Sequence, residues 1–240
     1  MTPFFFFLAG LYCISCSFPK GLERTKIVSV EQTPVYQLKN ETAFYFMAGL
    51  RVDADGSPRA YHPEDRGLDH LENAGRWGNW WALATWPNGV PYLQGESDPH
   101  PGFYVSKTSL EDTSIHQFNP SRYVNAEEIP YIVLPEKILR KVNVKLGDFV
   151  VVVNTFNKKF SYGLFADVGP PGKLGEASIA LTERLGIYAN PKDGGIDRGI
   201  IYLIFPGTGN GRSRSLEEID ATGKKIFEDW GGLEKALSLY

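Results

Sequence analysis

Two carboxylates nine residues apart mark the segment FADVGPPGKLGEASIAL, residues 165–181. Asp167 comes at the end of a largely apolar strand-like run, where a charged side chain is costly unless it has a partner or a task. Glu176 precedes an apolar run with helical spacing, so we place it at the start of a helix, whose dipole favours negative charge. The Gly- and Pro-rich residues between them predict a sharp turn. The pair is either part of an ordinary surface turn or a general acid and a general base directed at one bond.

Aromatic side chains and acids are concentrated in the first half of the chain. Four of the five tryptophans lie in WGNWWALATW, residues 77–86. Flat aromatic faces bind the apolar faces of sugar rings and attract cations, although core packing is the alternative. Trp80 and Trp81 are adjacent, so on a strand one could pack in the core while the other lies in a cleft. Acids occur around this region at Asp53, Asp55, Glu64, Asp65, Asp69, Glu96 and Asp98. Such a cleft suits a polysaccharide that carries amines.

Charge and motif content exclude several other classes of function. The net charge is −3, so the chain has no basic surplus to neutralise nucleic-acid phosphates. The four histidines do not pair at metal-ligand spacing, and we find no Gly-rich phosphate loop. The stretch DADGS, residues 53–57, resembles the start of a calcium loop but lacks its continuation. We therefore predict no metal site and no cofactor.

The N-terminus resembles an export signal. Residues 4–14 form an apolar run of signal-peptide length, too short to span a bilayer. Ser15 and Cys16 end it as a relaxed lipoprotein cleavage box would, but no Lys or Arg precedes the run. We predict a signal peptide over residues 1–16 and a secreted or cell-envelope location, with lipid anchoring at Cys16 or plain secretion both open. The only cysteines, Cys13 and Cys16, lie in this segment, so the mature domain has no disulfide.

The rest of the chain indicates one mainly β domain. We interpret residues 17–40 as a tether and an entering strand, and residues 41–240 as the catalytic domain, which we expect to be a monomer. Apolar strand-like runs recur, separated by Gly- and Pro-rich turns, and residues 149–153 are apolar throughout. A C-terminal helix begins at Ser215, with Glu218 completing a capping box. We predict a barrel or barrel-like sheet with two or three helices.

Residues 162–187 resemble the catalytic segment of glycoside hydrolase family 75, the fungal-type chitosanases, which also have bacterial-type members. Asp167 and the Gly169-Pro170 pair fit the D-x-G-P turn of that family, and residues 175–181 fit its G-E-x-S-I-A-L motif. Further stretches resemble the family in the same order: residues 53–56, 78–83, 98–110, 129–135 and 200–209. The resemblance covers roughly residues 43–232. The fungal proteins usually carry cysteines, which this mature domain lacks.

The resemblance implies hydrolysis of the β-1,4 bonds of chitosan, a polymer of glucosamine, within the chain and with inversion. It implies that Asp167 and Glu176 are the essential carboxylates. We assign Asp167 as the general acid because its strand is apolar, and Glu176 as the general base because a helix start lowers its pKa. Chitosan or a related cationic polysaccharide is the expected partner. Candidate substrate-binding residues are Asp53, Asp55, Trp80, Trp81, Asp98 and Tyr104.

A fainter resemblance connects the same segment to the double-psi β-barrel, in which a strand ends in Asp-x-Gly-Pro and leads to a helix. Expansins, some lytic transglycosylases and another inverting glycosidase family use that barrel. Two alternatives therefore stay open: an enzyme that cleaves peptidoglycan or another amino-sugar glycan, and a non-catalytic, expansin-like glycan-binding module.

Overall fold

Eight strands form the framework of residues 22–240, the part of the chain that this computed structural model describes. They are β1 Arg24–Val30, β2 Thr33–Leu38, β3 Phe44–Asp53, β4 Tyr131–Pro135, β5 Phe149–Asn154, β6 Phe160–Gly169, β7 Glu176–Ser178 and β8 Ile196–Phe205. Their order in the sheet is β1-β2-β3-β7-β4-β6-β5-β8, and β8 also pairs with β3. Six strands, from β3 to β8, therefore close into a barrel. The prediction of a mainly β, barrel-like fold is confirmed.

Four α-helices and two 3-10 turns accompany the strands in the described part of the chain. The helices are α1 Glu136–Leu139, α2 Ile179–Arg184, α3 Leu216–Trp230 and α4 Gly232–Leu237, and the 3-10 turns are Leu71–Ala74 and Pro120–Arg122. Both helices that the sequence indicates, α2 and α3, are present. The capping box of α3 is also present, with Ser215 Oγ accepting from Glu218 N–H and the Glu218 carboxylate accepting from Ser215 N–H.

The apolar run of β5 is explained by burial on both faces of the barrel wall. Val150 and Val152 belong to the core inside the barrel. Val151 and Val153 belong to a second core on the outer face, where Phe227 of α3 packs. A strand covered on both sides reads as a continuous hydrophobic run instead of an alternating one.

The entering strand that the sequence predicts within residues 17–40 is two strands in the structure. Residues 24–38 form the antiparallel hairpin β1–β2. Glu31, with φ of 48°, occupies the tight turn, and β2 continues the hairpin onto β3. Buried apolar side chains at Val30, Val35 and Leu38 hold the hairpin against the barrel.

The predicted signal peptide and both cysteines lie outside the described residues. Within residues 22–240, no helix combines the length and the apolar character that a bilayer crossing requires.

The tryptophan-rich segment is not a strand. Residues 76–93 form loops joined by single antiparallel bridges, such as those between Arg76 and Asn79 and between Thr85 and Pro91. Gly75, Gly78 and Gly89 all adopt positive φ, which interrupts extended backbone. The segment packs against the core inside the barrel through Trp80, Ala82 and Leu83, and Trp81 contributes to the cavity described below.

Ser178 connects β7, β4 and α2 at the centre of the fold. Its buried hydroxyl donates to Ile129 C=O at 2.9 Å and accepts from Tyr131 N–H at 3.0 Å. The same oxygen caps α2 by accepting from Leu181 N–H at 3.2 Å. One side chain therefore fixes the positions of two strands and a helix.

Ser178→Ala is expected to lower the free energy of unfolding by about 2–4 kcal/mol, because two buried N–H groups lose their acceptor and α2 loses its cap. Urea unfolding followed by tryptophan fluorescence measures the change. Ser238→Ala is the matched control, since Ser238 is exposed and its loss should cost no more than about 0.5 kcal/mol. Equal stability of the two variants would contradict the role given to Ser178.

Candidate active site

Asp167 and Glu176 lie on the two strands that flank β4. Val133 of β4 pairs with Asp167 of β6 on one side and with Glu176 of β7 on the other. Neighbouring strands are about 4.8 Å apart, so the two acidic residues have backbones roughly 9–10 Å apart. All three side chains line the same cavity. The strands thus present two carboxylates to one cleft, separated by a valine.

An irregularity in β6 directs Asp167 toward the cleft. Pairing with β4 shifts register between Phe165 and Asp167, leaving Ala166 as the extra residue. Bulges of this kind re-aim side chains and are common next to active sites. The Asp167 carboxylate then meets Ser109, whose backbone N–H donates to Oδ1 at 2.8 Å and whose hydroxyl donates to the same oxygen at 2.6 Å. Burial raises the pKa of Asp167, and these hydrogen bonds oppose the rise.

Glu176 does not lie at a helix start, which corrects the sequence interpretation. It is the first residue of β7, and α2 begins three residues later, at Ile179. The pattern concealed β7 because a three-residue strand is too short to show periodicity. Burial raises the pKa of Glu176, and Lys173 opposes the rise with its Nζ 3.6 Å from Oε1. The prediction that a helix dipole lowers the pKa of Glu176 is therefore wrong.

The cavity between these strands is large and acidic. Its volume is about 1050 Å³, at the upper end of the usual range for ligand sites. Within residues 22–240 its lining includes seven carboxylates: Glu31, Asp53, Asp55, Asp69, Glu72, Asp167 and Glu176. Two basic residues, Arg51 and Lys173, also line it. Such a surface favours a cationic ligand over an anionic one.

Trp81 forms an aromatic wall of this cavity. Its side chain is 53% exposed, and its indole N–H donates to Asn73 C=O at 2.9 Å. The amide of Asn73 in turn donates to both oxygens of Asp69, at 2.9 and 3.0 Å. An exposed indole held in one orientation beside a fixed carboxylate is suited to a sugar ring that bears an amine.

Three carboxylates converge at the floor of the cavity. Oxygens of Asp53, Asp55 and Asp167 all lie within 4.8 Å of one another. Asp55 Oδ1 accepts from Tyr61 Oη–H at 2.7 Å, and Tyr131 Oη lies 3.2 Å from Asp53 Oδ2 and 2.9 Å from Asp55 C=O. Burial, followed by the charge of Asp167, raises the pKa of Asp53 to about 8. Acidic clusters are common without an ion, and we assign no metal here.

The structure brings Asp53, Asp55 and Trp81 together with Asp167 and Glu176. The other three candidate substrate-binding residues do not line this cavity. These three are Trp80, Asp98 and Tyr104, whose side chains make contacts elsewhere in the fold.

Trp80 packs against the core inside the barrel. Asp98 closes a local turn, because its Oδ2 accepts from Gly95 N–H at 2.8 Å. Tyr104 also packs against that core and bridges to Leu93 through its backbone. Substrate binding by these three residues stays a prediction from residue type, and the structure places none of them at this cavity.

Sequence reasoning missed Ser109, Tyr61 and Tyr131. These side chains hydrogen-bond the carboxylates at the floor of the cavity. Ser109 and Tyr131 lie in stretches that resemble glycoside hydrolase family 75, which was the one signal available. A hydroxyl residue in a loop or an apolar strand has no pattern of its own that predicts such a role.

Comparison with known proteins identifies the family of this chain. No curated protein matches it. The sequence model described as fungal chitosanase of glycosyl hydrolase group 75 matches residues 94–231, a range that contains Asp167 and Glu176. Because this match covers more than half of the 240 residues, the chain belongs to glycoside hydrolase family 75.

Proposed function

We propose that this glycoside hydrolase is an endo-chitosanase that cleaves β-1,4 bonds between glucosamine units with inversion. The observation that carries the proposal is the placement of Asp167 and Glu176 on either side of Val133, facing one acidic cleft. Inversion requires carboxyl groups about 6.5–9.5 Å apart, so that a water molecule fits between one of them and the sugar. Two residues separated by a full strand are consistent with that requirement.

The reaction proceeds in one displacement. Asp167 donates its proton to the glycosidic oxygen while the bond from that oxygen to C1 breaks. Glu176 accepts a proton from a water molecule whose oxygen forms the new bond to C1 on the opposite face. Asp167 ends ionised and Glu176 protonated, and exchange with solvent restores both.

The charges around each carboxyl support this order of acid and base. Asp167 lies within 4.8 Å of oxygens of Asp53 and Asp55, and like charges oppose its ionisation. Glu176 has the Lys173 ammonium at 3.6 Å, which stabilises its ionised form. A protonated Asp167 and an ionised Glu176 are the starting states that the reaction needs. These neighbouring charges, and not a helix start, therefore set the difference between the two carboxyl groups.

The acidic cleft supports chitosan as the substrate. Chitosan carries protonated amines. Within residues 22–240, seven carboxylates but only two basic residues line the cavity. Asp69 and Trp81 offer a carboxylate and an aromatic face on one wall.

Product stereochemistry tests the proposal directly. Glucosamine hexamer is incubated with the purified protein, and the first product anomer is observed by proton NMR before mutarotation. We expect internal cleavage and the α-anomer. Release of the β-anomer would exclude inversion. If the protein does not cleave chitosan of several degrees of acetylation but releases muropeptides from peptidoglycan, then peptidoglycan and not chitosan is the substrate. Glycan binding without new reducing ends would exclude catalysis.

Gly169→Ala is expected to lower kcat by about 10–100-fold, because small displacements of a catalytic group are costly. A Cβ at this position would lie 2.8 Å from Val133 Cγ1 and 3.2 Å from Glu176 Oε2, so it would displace the Glu176 carboxylate. Steady-state kinetics on the hexamer measure the loss.

Gly95→Ala is the matched control, since its Cβ would have only Asp98 Oδ2 nearby, at 3.8 Å. It should retain wild-type kcat. A Gly169→Ala variant as active as Gly95→Ala would contradict the close packing of Gly169 against Glu176.

A further inference from the structure

Asp53 places a second carboxyl group beside the proposed general acid. It is the last residue of β3, more than a hundred residues before Asp167 in sequence, and their carboxylate oxygens lie within 4.8 Å. Its position is fixed: Oδ1 accepts from Asp55 N–H at 2.9 Å, and Tyr131 Oη lies 3.2 Å from Oδ2. β7 pairs alongside, with Ser178 in register with Asp53. This pair differs from two neighbouring acids on a protein surface, because both carboxyl groups lie at the floor of a cavity.

The groups that face Asp53 are acidic or phenolic. They come from every element packed around it: Asp55 and Tyr61 from the following loop, Asp69 beyond Asp55, Tyr131 from β4, Asp167 from β6 and Glu176 from β7. The two basic residues that line the cavity are paired with other carboxylates. Arg51 lies 3.1 Å from Asp197, and Lys173 lies 3.6 Å from Glu176.

Carboxylates this close do not all ionise together. The charge of the cluster must then be reduced by protons. Burial raises the pKa values of Asp53, Asp55 and Asp167, and the like charges of their neighbours add to the rise. Ser109 donates two hydrogen bonds to Asp167, which favour its ionised form. Both Asp53 and Asp167 are therefore candidates to hold the proton.

We propose that Asp53 is a positioning residue that shares a proton with Asp167 and so keeps Asp167 able to protonate the leaving group. The inference rests on the proposed function, because it assigns a partner to the general acid. At the working pH the pair holds one proton. Asp167 passes that proton to the glycosidic oxygen as the bond to C1 breaks, which leaves both carboxyls ionised. Their repulsion draws a proton back from solvent before the next turnover.

The test compares the pH dependence of kcat in the wild-type protein and in Asp53→Asn, on the same glucosamine hexamer. Asn has nearly the same shape as Asp but carries no charge. Without its neighbour's charge, Asp167 ionises at lower pH, so the alkaline limb of kcat should move down by about one to two pH units. Activity should recover toward the wild-type value at acid pH. Because the substrate amines titrate identically in both assays, they do not produce the difference.

Tyr131→Phe provides a second variant that alters no carboxyl. Its hydroxyl stabilises ionised Asp53, so its loss should raise the affinity of the pair for a proton and move the alkaline limb up. Opposite shifts in Asp53→Asn and Tyr131→Phe are the expected signature. An unchanged limb in both variants would overturn the proposal.

Other roles for Asp53 give different results, each of which overturns the proposal. A merely structural role lowers kcat equally at every pH. Binding of a substrate amine raises KM, most strongly for the fully deacetylated hexamer, without moving the limb of kcat. A bound cation makes the wild-type limb depend on added Ca²⁺ and on EDTA.

A titration without substrate separates this inference from the proposed function. Carbon NMR of protein labelled at the aspartate carboxyls should show a stepwise, coupled titration that becomes a simpler one in Asp53→Asn. If the hexamer is not cleaved but the coupled titration is seen, then Asp53 and Asp167 share a proton and the proposed reaction is wrong. If the hexamer is cleaved with independent titrations, the reaction stands and the shared proton fails.

Discussion

Asp167→Asn is expected to lower kcat on chitosan by about 10²–10⁴-fold, because the leaving oxygen loses its proton donor. The loss should depend on the leaving group. In a glucosamine oligomer with a dinitrophenyl group at its reducing end, the leaving group is dinitrophenolate, which needs no protonation. The variant should therefore cleave this substrate at a rate close to that of the wild-type protein. Comparing kcat on the hexamer and on this activated substrate measures the role of the residue as an acid, apart from any role in binding.

Asp98→Asn is the matched control for this change. Asp98 lies outside the cavity, and the Asn amide oxygen can still accept from Gly95 N–H, so full activity is expected on both substrates. Equal losses on both substrates in Asp167→Asn would mean that Asp167 is not the general acid. Its carboxylate would then act as the base or hold the substrate.

The two acids proposed as the catalytic pair could be singled out in the sequence because both lie within one short segment. Asp167 and Glu176 are nine residues apart, and the turn between them has clear Gly and Pro signals. Their relation across β4 was not predictable. It depends on parallel pairing between β4 and β6 and antiparallel pairing between β4 and β7, and nothing local encodes which strands become neighbours.

The barrel wall was visible in the sequence for a similar reason. Residues 149–153 of β5 are all apolar, and the capping box of α3 depends only on residues close in sequence. The hairpin β1–β2 was harder to recognise because its first strand is largely exposed and carries charged residues. The sequence therefore predicts one entering strand here, where the structure has two.

The residues at the floor of the cavity show most clearly what could not be predicted from the sequence. Asp53 and Asp55 were predicted as substrate-binding acids from their type and a family-like stretch, and both line the cavity. Their contact with Asp167 results from the closure of the barrel through β3 and β7, over more than a hundred residues. Asp98 has the same residue type and lies in another family-like stretch, but its carboxylate accepts a hydrogen bond within its own turn. Residue type cannot separate these cases, because burial and neighbours decide them.

Glu176→Ala is expected to lower kcat by about 10²–10⁴-fold, since no group then removes the proton from the attacking water. Removal of the side chain also leaves space next to the substrate. Azide is a small anion that needs no deprotonation, and Lys173 lies beside the vacated position, with Nζ 3.6 Å from Glu176 Oε1 in the wild-type protein. Azide should therefore restore turnover by attacking C1 from the face that water uses. The product should be the α-glycosyl azide, which NMR identifies.

Rescue of this kind distinguishes the base from the acid, which the loss of activity alone does not. Glu96→Ala is the matched control, because Glu96 is exposed and does not line the cavity, so it should keep full activity with or without azide. Azide rescue of Asp167→Ala, with none in Glu176→Ala, would reverse the two roles. The charges around the pair argue against that reversal. Asp167 lies among carboxyls that oppose its ionisation, whereas Glu176 faces an ammonium that favours it. An inverting enzyme needs that difference between its two acids before the substrate arrives.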